Sequence, residues 1–104
     1  SHFDFQQFCG EVLERNGDFI RVEVKNKFIV GDSLELMTPK GNVHFVLEQM
    51  RDLKGNLIDN AKGSGHTVEI LFPQEIDIRY ALLIRNLPQA KQQLSSASLA
   101  YPAH

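Results

Sequence analysis

A chain of 104 residues can hold one domain with its own hydrophobic core and is too short for two. Its 42% apolar content and net charge of −2 are ordinary for a globular protein, and no apolar run approaches the roughly 20 residues that a membrane span needs. A soluble single domain with no membrane partner is expected.

The chain begins at Ser1, with no initiator Met and no basic-then-apolar leader, and reads as a piece of something longer. In "FDFQQF", Phe3, Phe5 and Phe8 are too many aromatics for a free terminus. They are either a strand or cover closing one end of the fold, or a docking segment onto a neighbouring domain, so residues 1–9 are taken as a linker or docking segment. Cys9 is the single cysteine and cannot staple the fold internally, a pattern that fits a reducing compartment and points to the cytoplasm.

From Glu11 onward the punctuation is that of an all-β protein: short apolar runs separated by Asn16-Gly17, Gly31-Asp32, Pro39-Lys40-Gly41, Lys54-Gly55-Asn56 and Gly63-Ser64-Gly65. Asn16-Gly17 predicts a type I′ hairpin that pairs Glu11 to Arg15 with Asp18 to Lys25 and sets Leu13 opposite Ile20. Ile20, Val22 and Val24 then share the core face, and Arg21, Glu23 and Lys25 take the other. The alternation repeats inward with Leu34 and Leu36, with Val43, Phe45 and Leu47, and with Val68, Ile70 and Phe72, while His44, Glu48 and Glu69 point away.

About six or seven short strands leave two edges open unless the sheet closes on itself. The expected fold is therefore a small closed β-barrel of mostly antiparallel strands over residues 10–86. After Leu87 the composition shifts to "PQAKQQLSSASLAYPAH", too poor in large apolar groups to offset its ordering, so residues 87–104 are expected to be a disordered tail.

Catalytic and metal chemistry finds little support. His2, His44, His66 and His104 include no pair at metal-ligand spacing, and neither a metal nor another cofactor is expected. Asp32-Ser33 after Gly31, with His44 one strand away, reads as a turn handing over to a strand and not as a hydrolytic triad. Gly63-Ser64-Gly65 lacks the Gly-Lys-Ser/Thr ending of a phosphate loop and precedes a strand, so no helix N-terminus is at hand for an anion. The cations are more informative: Arg21 and Lys25 fall on one exposed strand face with Lys27 just beyond, while Lys40, Lys54 and Lys62 sit in turns. Arg21, Lys25, Asn26, Lys27 and Lys40 are the candidate binding residues, and Phe3, Phe5 and Phe8 the candidate docking residues. Glu23 between Arg21 and Lys25 weighs toward an ordinary solvated face.

The stretch "GEVLERNGDFIRVEVKNKFIVGDSLELMTPKG", followed by "GHTVEILFP" and "YALLIR", resembles the C-terminal domain of the peptidase U32, or collagenase-like, family. The resemblance covers roughly Phe8 to Arg85 and is most specific in the V-E-V-K-N-K-F core with Asn26 and Phe28, in Val30 to Asp32, and in the T-P-K-G ending at Gly41. It implies a β domain appended to a modified TIM barrel that carries the family's cysteine-containing signature, and a likeness to the second domain of translation elongation factors. Cys9 lies outside the context of that signature, so no catalytic or metal-binding residue carries over to this chain.

For the parent, the resemblance implies either a collagenase-like peptidase or a relative of proteins associated with tRNA or ribosomal RNA hydroxylation or with ubiquinone synthesis. The fragment itself is then an accessory, non-catalytic domain whose partners are the catalytic domain of the same chain and an RNA, such as tRNA, or a protein substrate. The competing expectation is a purely structural or dimerisation domain that buries Phe3, Phe5 and Phe8 with Leu71 and Val46.

Overall fold

The structure, a computed structural model, describes residues 5–87. These residues form ten strands and no helix: β1 (Phe5–Asn16), β2 (Phe19–Val24), β3 (Phe28–Ile29), β4 (Ser33–Thr38), β5 (Gly41–Val46), β6 (Met50–Arg51), β7 (Leu57–Ile58), β8 (Asn60–Ala61), β9 (Thr67–Leu71) and β10 (Leu82–Leu87). Eight of them make one antiparallel sheet in the order β5-β4-β10-β1-β2-β9-β6-β7, and β3 pairs with β8 beside it. The tail expected after Leu87 and the candidate Phe3 lie outside the described residues.

The apolar alternation of β2 does what its period requires. Ile20, Val22 and Val24 are fully buried, as are Leu34, Leu36, Ile70 and Leu83 on the facing strands, with Phe28 and Phe72 as the largest core side chains. The expected inward sets on β2, β4, β5 and β9 are all found on the core side, Val43 and Phe45 being partly buried against it.

The hairpin register differs from expectation. Asn16 pairs with Phe19, so the two-residue loop is Gly17-Asp18. Gly17 takes φ +65° and Asp18 keeps a negative φ, the pattern of a type II′ turn, which needs a left-handed residue only at its first central position. Arg15, not Leu13, stands opposite Ile20. Leu13 is the extra residue of a β-bulge between Val12 and Glu14 and is half exposed at 50%. A second bulge, between Phe8 and Gly10, turns Cys9 into the core. Gly10 between the bulges has no space for a side chain, because a Cβ there would stand 2.7 Å from both Glu23 O and Val22 Cγ1.

The expected closed barrel is not realised as a closed ladder, since β5 and β7 end the sheet without pairing to each other, and the strands number ten and not six or seven. The ends are drawn together by side chains and loop hydrogen bonds. The Phe45 ring of β5 meets Phe72, just beyond β9, edge-on with ring centres 5.0 Å apart, and Val30 N, between β3 and β4, donates to Asp59 O, just after β7, at 2.9 Å. Two-residue strands such as β6 and β7 offer too few backbone groups to complete a seam, so packing takes over where the ladder stops.

Candidate functional site

Arg21 and Lys25 do share the outer face of β2, yet neither is a free cation. Arg21 lies opposite Glu69 of β9 and donates to its carboxylate through Nε (3.1 Å) and Nη2 (2.9 Å), while Nη1 reaches Glu14 at 3.1 Å. Glu69 also accepts from Asn16 Nδ2 at 3.0 Å and from Arg51 Nε at 2.8 Å, and the Arg51 guanidinium lies 3.7 Å over the Phe19 ring. Glu69 thus does not project into solvent as expected: it is 3% exposed, roofed by its own partners. Burial pushes its pKa up, but the bonds from Asn16, Arg51 and Arg21 outweigh that and hold it below the ordinary glutamate value. Lys25 Nζ sits 3.2 Å from Glu23.

Asn26 is structural. Its Nδ2 donates to Phe8 O at 2.8 Å and its backbone N to Cys9 O at 3.2 Å, tying the exit of β2 to the bulged part of β1. Lys40 Nζ pairs with Asp77 at 3.0 Å, and Arg79 grips the same carboxylate through Nη2 at 2.9 Å. The hydrogen bonds from Arg79, with that from Lys40, hold Asp77 well below the usual carboxylate range.

Lys27 is different. It lines an open cleft of ≈ 440 Å³ with Ile29, Val30, Asp59, Asn60 and Lys62, and a neighbouring cleft of ≈ 550 Å³ shares Val30, Asp59, Asn60 and Lys62 with it. Among the described residues neither Lys27 nor Lys62 forms an ion pair. Backbone bonds gather this end of the sheet: Val24 N donates to His66 O at 2.7 Å and Gly65 N to Val24 O at 3.2 Å, bringing the Lys62–His66 loop against the strand that leads to Lys25 and Lys27. The cleft is a place where two lysines can meet an anion, with Asp59 opposing them and Glu48 in the adjoining cleft.

Phe5 and Phe8 belong to β1, paired with Leu87 and Ile84 of β10. Strand alternation separates them: Phe8 shares the outer face with Ile84, Glu35 and His44, whereas Phe5 falls on the other face beyond the core and is 52% exposed. On the Phe8 face, Glu35 accepts from Gln6 Nε2 (2.8 Å) and Asn42 Nδ2 (2.6 Å) and pairs with His44 Nε2 (3.0 Å).

Chemistry at the remaining candidates is quiet. Burial pushes the Cys9 thiol up to about 11, the nearby Arg85 only partly opposing it, so no thiolate forms at neutral pH. The Asp32 carboxylate bonds Ile29 N at 2.9 Å and faces Arg85 Nε at 3.1 Å, the latter too far off line to be a hydrogen bond and so an ion pair. Asp32 fixes the turn, as expected. Among the described residues no group of three or more His, Cys, Asp or Glu is placed to hold a metal ion, and no helix is long and apolar enough to cross a membrane. Sequence reasoning missed the buried carboxylates Glu35 and Glu69, the cleft role of Lys62, and Tyr80. Only Lys62 left a trace in the sequence, as a cation beside a glycine loop.

The geometry now has a context. The model of the peptidase family U32 C-terminal domain matches residues 4–85. Two curated relatives, each named tRNA hydroxylation protein P, are similar: that of Escherichia coli is 56% identical over 84 residues, covering 80% of this chain and 18% of its own length. That of Haemophilus influenzae is 46% identical over 86 residues, covering 81% of this chain and 19% of its own. The chain thus spans less than a fifth of the length of these relatives. Among solved structures, the C-terminal domain of a U32-family protein of Geobacillus thermoleovorans superposes with a TM-score of 0.69 at 25% identity, over 78% of this chain and 93% of that one.

Proposed function

The chain belongs to the peptidase U32 family as its C-terminal domain, and from that premise we propose that it is a non-catalytic module that helps its parent hold tRNA, through the cleft between Lys27 and Lys62. The observation that carries this reading is the convergence of two cations without ion-pair partners on one open cleft, in a chain where Arg21, Lys25 and Lys40 each have a carboxylate partner. A polyanion gains most from such cations, because each phosphate contact releases condensed counterions without first breaking an internal ion pair. The relatives' name supplies the choice of tRNA over a protein substrate. The unreactive Cys9 thiol and the occupied Asp32 support placing bond chemistry elsewhere in the parent, in the part this chain does not span.

Tested in the intact parent, Lys27→Glu with Lys62→Glu should weaken tRNA binding for any sequence and flatten the log–log salt dependence by about 1.4 to 1.8, two contacts' worth. An unchanged slope would remove the cleft from the binding surface.

A second reading, docking on the remainder of the parent, is favoured by a specific observation on the Phe8 face. Asn86, 3% exposed, accepts at Oδ1 from Gln6 Nε2 at 2.8 Å and leaves Nδ2 with no acceptor among the described residues. Rotating the amides does not help: the Glu35 carboxylate requires Gln6 to donate, so Gln6 must present Nε2 and Asn86 must answer with oxygen. Beside this buried amide, Phe8 and Leu82 are exposed on the same face and give it apolar surface for a partner to cover. The two readings use different surfaces and can both hold.

A further inference from the structure

Tyr80 is the one non-glycine residue among those described with a left-handed backbone, at φ +63°. It occupies the third position of the turn closed by Ala81 N donating to Ile78 O at 3.1 Å, the φ pattern of a type II turn, where glycine or asparagine is the unstrained choice. Strain of this kind persists in a fold when the side chain returns something for it. Here the ring returns little packing, for Tyr80 is 84% exposed, the most of any large apolar side chain among the described residues.

The cleft beside Tyr80 is cationic on balance. Tyr80 lines a small cleft of ≈ 210 Å³ with Pro39, Lys40, Asp77 and Arg79. The Asp77 carboxylate holds the Arg79 guanidinium through two bonds, Nε to Oδ1 at 3.0 Å and Nη2 to Oδ2 at 2.9 Å, and Lys40 Nζ at 3.0 Å. Two cations on one carboxylate leave a net positive charge, and the guanidinium is both fixed in place and open to solvent. An exposed aromatic ring beside pinned cations is the combination that single-stranded nucleic acid recognition uses: a flat surface for an unstacked base and charges for its phosphates.

We propose that Tyr80, with Arg79 and Lys40, is a stacking platform for an unpaired base of RNA. The proposal deepens the tRNA reading above but uses residues apart from the Lys27 and Lys62 cleft. A ring stacked on a base explains why tyrosine occupies a position where glycine would be unstrained.

The test uses the intact parent and three probes: unmodified tRNA, a short single-stranded RNA, and a fully paired RNA duplex of matched charge. Tyr80→Gly should weaken binding of the single strand and of tRNA by at least about fivefold, the lower end of what one stacked base contributes, and leave duplex binding unchanged. The same substitution should raise the denaturation midpoint by relieving the strained φ, so lost binding cannot be ascribed to unfolding. Tyr80→Phe should retain both the binding and the midpoint of the unmodified protein. Equal affinity of Tyr80→Gly and unmodified protein for the single strand overturns the platform, and so does an equal loss on duplex and single strand. If Lys27→Glu with Lys62→Glu leaves the salt slope intact while Tyr80→Gly still discriminates single strand from duplex, the cleft fails and the platform stands. The converse result refutes the platform alone.

Discussion

At Gly17 one backbone angle decides a hairpin. The loop places this residue at φ +65°, and a Cβ built there meets nothing within 4 Å, so space is not what requires glycine. The requirement is conformational, since a β-branched residue is disfavoured in the left-handed region. Gly17→Val should therefore cost on the order of 1–2 kcal/mol. An unchanged urea midpoint would mean that the loop does not hold this turn. Gly10 shows the opposite case, where the φ is ordinary and the contacts of 2.7 Å alone exclude a side chain.

At the scale of elements, four strands meet on Glu69. Asn16 at the end of β1, Arg21 on β2 and Arg51 on β6 all donate to a carboxylate on β9, so its charge spans the sheet across β1, β2, β9 and β6. The folded protein holds the Glu69 pKa below the ordinary 4.5. A depressed folded value means that the stabilisation is fully present above about 4.5 and is lost as pH falls through the folded value. Glu69→Gln should lower stability at neutral pH by about 1–2 kcal/mol, because it weakens charge-assisted bonds whose donors are still partly in water. It should also flatten the acid limb of a plot of midpoint against pH, and a limb of unaltered steepness in the variant would assign acid sensitivity to other carboxylates.

For the whole molecule, the outer face of β1 and β10 carries an exposed apolar pair. Phe8, 38% exposed, and Leu82, 37% exposed, stand there beside the carboxylates Glu11 and Glu35, a surface of mixed apolar and polar character that suits a protein partner. Leu82→Cys in the intact parent should react with a maleimide at least about tenfold more slowly than in the isolated chain, as expected if the face is covered nine-tenths of the time. Leu57→Cys on β7, 69% exposed and on another part of the surface, is the control and should react equally in both. Equal reactivity at residue 82 would exclude docking through this face, and protection that vanishes when the chain is cut after Leu87, or that grows with concentration, would assign the cover to the tail or to a second copy.

The local part of this protein could be read from its sequence. The alternation in Phe19 to Val24, Ser33 to Thr38 and Thr67 to Leu71 put the right side chains in the core, because a period of two is a property of the strand itself. The need for glycine at residue 17 and the turn role of Asp32 were also local. The family was carried by the same stretches, Val22 to Phe28 and Val30 to Asp32 foremost. Register was not local: two bulges in β1 shifted Leu13 away from Ile20, and a bulge is decided by what packs on both sides of a strand, here Cys9 turning inward and Gly10 against Val22 and Glu23. Nor could the sequence show whether a cation is free. Arg21 and Lys27 are six residues apart and equally charged, but one lies opposite a buried glutamate 48 positions away and the other faces an open cleft beside Lys62. Only the fold, by choosing which strands become neighbours, decides which charges cancel and which are left to meet a ligand.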